Sequence, residues 1–324
     1  MDNDIEFIDR NTISKKIKNI QLYPTRTRIE INDKAVKKIF GFSSETYNQL
    51  RNGTPFNIVE TLNHPKHGKI TTPYSFVCPY EDPFNEFDRA VLSVCTGEYL
   101  AGNLYTTVSI IFRALIGKVE YGDINPSKNQ KASILHSISK LLAATIKCDT
   151  TQSFPLLHYD YAKIVESSFL PCCRAEVTIN GQINNIIFFD RLSPFFDVAD
   201  SKKQILRYPS DLLNIPNQNN TPLIISIKNY VLRRIIEIIS HKMTATITFN
   251  DIFQRCHLDK ANFKSKKYAR DAVINLFEHL KNENFIKTFR LTKKTSGNGF
   301  YGISFLLNCL KYLKSAIVYK FHTI

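Results

Sequence analysis

FDRAVLSVCTGEYLAGNLYTTVSIIFRALIGK, residues 87–118, contains two apolar segments that are separated by a short break. The residues that recur at helical spacing are Phe87, Val91, Val94 and Cys95 in the first segment, and Val108, Ile111, Phe112 and Leu115 in the second. The break at 101–103 contains a glycine, Thr106 or Thr107 can cap the second segment, and Gly117 can end it. The stretch therefore predicts two consecutive helices joined by a tight connection.

A third helix and a β-hairpin are predicted to follow. Asn125 offers a capping side chain and Pro126 suits the first helical position, so we expect the third helix to begin there. Its buried side is predicted to contain Leu135, Ile138, Leu141 and Leu142. The side chains left free of the core are then Lys128, Lys131, Ser133, His136, Ser137 and Lys140. Two apolar runs meet at Asn180 and Gly181, a strong signal for a hairpin.

The same order of elements returns after a linker rich in Pro and Asn at 215–222. Helical spacing predicts three further helices, the third capped by Ser265, and then a second hairpin with TKKTSGNG as its loop. The predicted buried residues are Ile224, Ile227, Val231, Ile235 and Ile238 in the first helix, Phe249, Ile252, Phe253 and Cys256 in the second, and Ala269, Val273, Leu276, Phe277 and Leu280 in the third. The chain thus repeats an architecture without detectable repetition of residues.

Three helices followed by a hairpin are the pattern of a winged helix. We therefore predict an α+β protein with two tandem winged-helix domains, each of three helices and a β-hairpin wing, after an irregular N-terminal extension with short strands. The predicted boundaries are 1–80 for the extension, 81–217 for the first domain and 218–324 for the second. The first domain also carries a long insertion at about 146–172, between its third helix and its hairpin.

The positive charge of the 324-residue chain is concentrated near its C-terminus. The formal net charge is +14, and residues 222–324 contain 18 Lys and Arg against 6 Asp and Glu. Residues 1–221 contain 25 against 23, which leaves them nearly neutral. A local excess of this size attracts a polyanion, and nucleic acid is the expected one. The alternative is a solvated lysine-rich face that only aids solubility.

Double-stranded DNA is accordingly the predicted partner, and the third helix of each domain is the predicted contact. In a helix-turn-helix this helix lies in the major groove and offers cations on its free side. The predicted DNA-binding residues are Lys264, Lys266, Lys267 and Arg270 on the last helix, Arg290, Lys293 and Lys294 on the second hairpin, and Lys128 and Lys131 on the third helix of the first domain. The first domain has fewer exposed cations, and its surface is equally suited to a protein interface.

Composition excludes several other classes of protein. Apolar residues make up 43% of the chain, which argues against disorder, and no apolar run approaches the roughly 18 residues that cross a bilayer. The acidic N-terminus lacks the features of a secretory signal, so we expect a cytoplasmic protein without a membrane partner. The seven cysteines form no CxxC pair, and we expect them to be reduced and mostly buried, with neighbours Cys172 and Cys173 on opposite faces of a strand. No metal site or cofactor is predicted.

Enzyme motifs are absent from the sequence: it contains no GxxxxGK[ST], no GxGxxG after a strand and no HExxH. The remaining enzymatic alternative is a metal-dependent DNA nickase. Its residues would be His158, Tyr159 and Tyr161, or His64 and His67, but such an enzyme needs paired histidines on a strand, which the chain lacks. We therefore predict that the protein is not an enzyme and has no catalytic residues.

FDRAVLSVCTGEYLAGNLYTTVSIIFRALIGK, LPCCRAEVTINGQ, RYPSDLL, NYVLRRI and NGFYGI together resemble replication initiator proteins of bacterial plasmids and related mobile elements. The likeness covers about residues 83–305. It implies tandem winged helices that bind repeated origin sites, dimerisation through the N-terminal domain, and recruitment of the host helicase machinery. The recognition helices would be 127–142 and 265–281. The resemblance gives no catalytic residues to carry over.

The predicted function is that of a sequence-specific DNA-binding initiator, which acts on the origin repeats of a plasmid or mobile element without catalysing a reaction. A winged-helix transcriptional regulator is the nearest alternative, since it would need the same contacts in the DNA groove. The nickase is the second alternative.

Overall fold

The computed structural model describes residues 24–41, 54–64, 68–80, 82–120, 124–151, 164–179, 182–241, 245–293 and 300–308. Within them the helices are α1 (Lys34–Ile39), α2 (Glu86–Leu100), α3 (Val108–Ile116), α4 (Lys128–Ala143), α5 (Pro194–Ser201), α6 (Pro222–His241), α7 (Phe249–Arg255) and α8 (Phe263–Asn282). The strands are β1 (Thr27–Ile31), β2 (Phe56–His64), β3 (Gly68–Val77), β4 (Tyr105–Thr107), β5 (Thr145–Asp149), β6 (Ile164–Ser168), β7 (Cys172–Ile179), β8 (Gln182–Phe189), β9 (Ile205–Pro209), β10 (Thr246–Thr248), β11 (Ile286–Lys293) and β12 (Phe300–Leu307). The fold is α+β, as predicted. No helix in these ranges is both long and apolar enough to cross a membrane.

The first half of the chain, up to residue 217, contains the three predicted helices, α2, α3 and α4. It also contains the predicted hairpin, β7 and β8. A short strand, β4, adds to the hairpin to make a three-stranded sheet of order β4-β8-β7. Thr107 caps α3, and Gly117 ends it with a left-handed φ of 81°, a conformation that favours glycine. The start of α4 differs from the prediction. Ser127, not Asn125, is the cap, in a reciprocal arrangement with Gln130.

The described part of residues 1–80 contains strands, as predicted, but it packs into the first core and is not an irregular extension. β1 pairs antiparallel with β9. β2 and β3 combine with β5 and β6, which come from the predicted insertion, in a four-stranded sheet of order β2-β3-β5-β6. Aromatic contacts connect these distant segments. The Phe40 ring packs against the rings of Phe84 and Phe169, at 5.3 Å and 5.5 Å between centroids. Scattered short apolar stretches thus build one core from distant segments of the chain.

The second half contains α6, α7 and α8 around a second core, with a three-stranded sheet of order β10-β12-β11. All the residues predicted to be buried in these three helices are buried, which confirms the helical spacing. The cap of α8 is Asn262 rather than Ser265. Ser265 instead donates its backbone N–H to the Asn262 Oδ1 at 2.9 Å. Among the cysteines, Cys172 is buried and its neighbour Cys173 is exposed, as predicted for a strand.

Arg28 on β1 links the two halves. Its side chain is buried, with Nε donating to Ser93 Oγ at 3.3 Å and Nη2 donating to the Ala90 carbonyl at 3.0 Å, both on α2. The same Nη2 donates to Asn229 Oδ1 on α6 at 2.7 Å. β1 approaches α2 closely because Gly97 has no side chain, and a Cβ there would lie 3.0 Å from the Thr27 carbonyl oxygen.

A buried ion cluster lies beside this link. Arg233 of α6 donates from Nη2 to both carboxylate oxygens of Glu86 at 2.7 Å, and its Nε lies 3.7 Å from Glu30 Oε1. Arg89 Nε donates to the same Glu30 oxygen at 2.6 Å. All four side chains are almost fully buried, so each charge depends on its partners for compensation. The two halves are therefore joined by charges as well as by apolar packing.

We expect Arg233→Met to lower the free energy of unfolding by about 3–5 kcal/mol, because it leaves Glu86 buried without its main partner. The matched control is Arg234→Met, whose ion pair with Glu237 is a third exposed on the arginine side and is worth at most about 1 kcal/mol. Urea unfolding of both variants measures the difference. Equal losses in the two variants would contradict a supporting role for the buried cluster.

A second buried cluster in the first half couples stability to pH. Asp33 caps α1 by accepting from the Ala35 and Val36 backbone N–H groups, and Lys202 Nζ donates to the nearby Glu60 at 2.6 Å. Burial, reinforced by the neighbouring Glu60 carboxylate, raises the pKa of Asp33 from 3.8 to about 8. The folded protein therefore holds a proton on Asp33 that the unfolded chain releases near pH 4.

Stability from this proton is fully present below about pH 4 and is lost as pH rises toward 8. Between pH 5 and pH 8, we expect the free energy of unfolding of the parent to fall by about 1–3 kcal/mol more than that of Asp33→Asn. The asparagine keeps the capping oxygen and does not titrate. Urea unfolding at the two pH values tests this. Parallel pH profiles for parent and variant would show that Asp33 is ionised in the folded state.

Candidate nucleic-acid interface

The first two turns of α8 present a basic surface. Residues 263–270 contain four cations and no acidic residue. Lys264 and Lys267 are exposed, and two exposed aromatic side chains, Phe263 and Tyr268, flank them. We call these four residues the α8 strip. Cations at a helix N-terminus oppose the helix dipole, so this arrangement costs free energy until an anion compensates it.

Lys266 and Arg270, also predicted to contact DNA, are half-buried against α7 instead of free of the core. The Arg270 guanidinium lies over the rings of Phe249 and Phe253, at 5.7 Å and 5.5 Å from their centroids. Lys266 Nζ lies 5.8 Å from the Phe253 centroid and donates to the Asp259 carbonyl at 2.6 Å. These cation–π contacts hold α8 at a fixed angle to α7. The two side chains thereby support the α8 strip.

The second hairpin adds exposed cations. Phe289 on β11 packs against Phe277 of α8 at 5.4 Å between ring centroids, so the alternation of the strand turns the next residue, Arg290, outward. Arg290 and Lys293 are exposed, as is Lys287, which the sequence prediction did not include. Lys294 lies outside the described residues. β11 follows the C-terminal end of α8, so these exposed cations form a second basic surface that is separate in sequence from the basic start of α8.

The third helix of the first half, α4, presents fewer exposed cations than α8 does. Lys128 is exposed, but Lys131 is half-buried, and its Nζ lies 3.1 Å from the Asn185 amide oxygen in the orientation that also satisfies Glu176. The prediction that Lys140 and Ser137 are free of the core is wrong. Lys140 is fully buried and donates to Asp82 and Asp88, at 2.9 Å and 2.7 Å. A lysine can lie on this helix face because two carboxylates compensate its charge.

His136, the remaining ionisable group on this face of α4, faces Asp82 as well, with Nε2 at 3.1 Å from both carboxylate oxygens. The surface of α4 is therefore a mixture of both charges, and its free cations are fewer than those of α8. This agrees with the near neutrality of residues 1–221.

The sequence prediction missed Phe263 and Tyr268, which are 73% and 44% exposed. A helical wheel places Phe263 near the position of Arg270, two turns later, where it would be expected to pack against α7. It is exposed instead. Phe300 and Tyr301 on β12 are exposed as well. Only the three-dimensional position of the turn between α7 and α8 reveals these side chains.

Within the described residues, no group of three or more His, Cys, Asp or Glu side chains is placed to hold a metal ion. The nickase alternative depends on His67, His158, Tyr159 and Tyr161, which lie outside those residues, as does the side chain of His64.

No protein-family model matches the sequence, and no curated protein matches it. Two crystal structures of domains 2 and 3 of RctB are similar to the chain, at 12% identity and a TM-score of 0.37, and cover 79% of it and 92% or 93% of the RctB chains. The Pi initiator protein in complex with iteron DNA is similar at 11% identity and a TM-score of 0.35, with 69% of this chain and 95% of that chain covered.

We expect Arg270→Ala to lower the free energy of unfolding by about 1–2 kcal/mol, because it removes two desolvated cation–π contacts and the packing of the side-chain stem. Lys267→Ala, three residues away and exposed, should change it by less than about 0.5 kcal/mol. Chemical denaturation compares the two variants. If both substitutions change the free energy of unfolding by less than about 0.5 kcal/mol, the Arg270 side chain does not pack against α7.

Proposed function

We propose that the protein is a sequence-specific DNA-binding replication initiator that acts by binding origin DNA and not by catalysis. The observation that carries the proposal is the cation-rich, carboxylate-free start of α8, which is braced by α7; the exposed cations of the hairpin add to it. The free energy that these cations cost the folded protein is recovered when phosphates approach them. The activity needs no catalytic residue, metal or cofactor.

The order of elements in the second half fits a winged helix. α6, β10, α7 and α8 precede the hairpin of β11 and β12, and β10 pairs with β12 in its sheet. In such a module α7 and α8 form the helix-turn-helix, α8 enters the major groove by its first turns, and the hairpin is the wing. Lys264 and Lys267 then contact phosphates beside the groove, while Arg290 and Lys293 reach the neighbouring stretch of backbone.

The first half has the same order of helices and sheet, which we interpret as a second winged helix with a smaller share of DNA contact. On its third helix, α4, Lys128 is exposed, and Lys131 is available only if it leaves Asn185. A homodimer interface and the host helicase machinery are the further partners that we propose for this half. Its mixed surface charge suits protein partners better than phosphate.

Two modules joined through a buried ion cluster favour an initiator over a regulator with a single binding module. The two modules, held at a fixed spacing, would bind along one DNA duplex. The distinguishing experiment is a permanganate footprint of an origin that contains an array of direct repeats. An initiator makes thymines beside the array reactive when it binds. A regulator protects its site and leaves the neighbouring thymines unreactive.

We expect Lys264→Ala combined with Lys267→Ala to weaken DNA binding and to flatten the slope of log affinity against log salt by about 0.9 for each lost phosphate contact. The matched control is Lys69→Ala with Lys147→Ala, two exposed strand lysines of the four-stranded sheet, which removes the same charge elsewhere. Fluorescence anisotropy at several salt concentrations measures both slopes. The same slope in both double variants would place the DNA contact away from α8.

A further inference from the structure

Phe263 and Tyr268 are exposed on either side of two exposed lysines, Lys264 and Lys267, at the start of α8. Phe263 precedes Lys267 by one turn, and Lys264 precedes Tyr268 by one turn, so each aromatic ring neighbours an ammonium group. Neither ring is among the buried residues of this helix, which are Ala269, Ala272, Val273, Leu276, Phe277 and Leu280. The rings therefore contribute little to the second core and remain available to a partner.

Charge identifies the kind of partner. An apolar protein surface would have to bring carboxylates to compensate Lys264 and Lys267, whereas a DNA duplex carries phosphates on both sides of a groove that also displays apolar groups. The apolar group in the major groove is the C5-methyl of thymine. A phenylalanine ring has no donor or acceptor for the base edges, so its favourable contact there is with this methyl group.

We infer that Phe263 and Tyr268 recognise thymine methyl groups, and so set the base preference of the site that α8 binds. The inference rests on the proposed DNA binding and deepens it. The lysines hold the helix on the phosphates without regard to sequence, and the rings select T·A pairs beneath the first two turns. Removing either ring changes which sequence binds, whereas removing a lysine weakens binding to every sequence.

The test uses the full chain and replaces thymine by deoxyuracil, which lacks only the methyl group. A random duplex library first supplies the preferred site, and that site is then synthesised with deoxyuracil at one thymine position at a time. We expect the parent to bind about fourfold more weakly at one or two of these positions, the factor expected for exposing one buried methyl. Phe263→Ala and Tyr268→Ala should each abolish the difference at one position.

Two controls accompany the variants. Leu104→Ala removes an exposed apolar side chain from the first half, and it should keep the sensitivity of the parent to deoxyuracil. The slope of log affinity against log salt should be unchanged in both ring variants, because neither removes a charge. Thermal unfolding confirms that each variant folds, as expected for exposed positions.

A parent that binds duplex DNA but tolerates deoxyuracil at every position overturns the inference and leaves the proposed function intact. Ring variants that keep the sensitivity of the parent overturn it as well. Loss of binding to single-stranded DNA in the ring variants, without any effect of deoxyuracil in the duplex, would assign the rings to base stacking instead. Failure of the parent to bind duplex DNA from the library would overturn both the inference and the proposed function.

Discussion

The pairing of Arg233 with Glu86 is the interaction on which the relation between the two halves depends. Neither charge can return to water unless α6 separates from α2. Breaking the pair while the interface stays closed would leave both ions desolvated and without compensation. Arg89 and Glu30 extend the constraint to β1, so three elements from distant parts of the chain are fixed at one point. The direction in which α8 projects relative to the first half follows from this fixed junction.

Cations in this protein have two separate uses, and burial distinguishes them. Lys228 is fully enclosed and donates to the Leu213 carbonyl and to Asn220, and burial lowers its pKa to about 7. Arg233, Lys266 and Arg270 also support the structure. The strong positive charge of residues 222–324 therefore overstates the charge available at the surface. Among the described residues of this region, most of the exposed cations lie on the start of α8 and on β11.

Helical spacing predicted the order of the helices and most of their buried faces, because those depend on neighbours within one or two turns. The caps of α4 and α8 were misplaced by a few residues, since several adjacent polar side chains can cap a helix and packing decides among them. The four-stranded sheet was missed for a different reason. In this sheet β3 pairs with β5, and three helices lie between them in the sequence. No local sequence pattern indicates a pairing partner so far along the chain. The exposure of Phe263 and the burial of Lys140 likewise depend on what lies opposite each side chain.

The pairing of β1 with β9 has a consequence for how the chain acquires its structure during translation. The ribosome releases β1 early, yet its partner strand and Asn229, which accepts from Arg28, emerge about two hundred residues later. Until then Arg28 has no complete set of acceptors, and the first core lacks one of its edges. Contacts of such long sequence separation form slowly and after the local ones. The first half is thus completed only after the second half, the proposed DNA-binding module, has been synthesised.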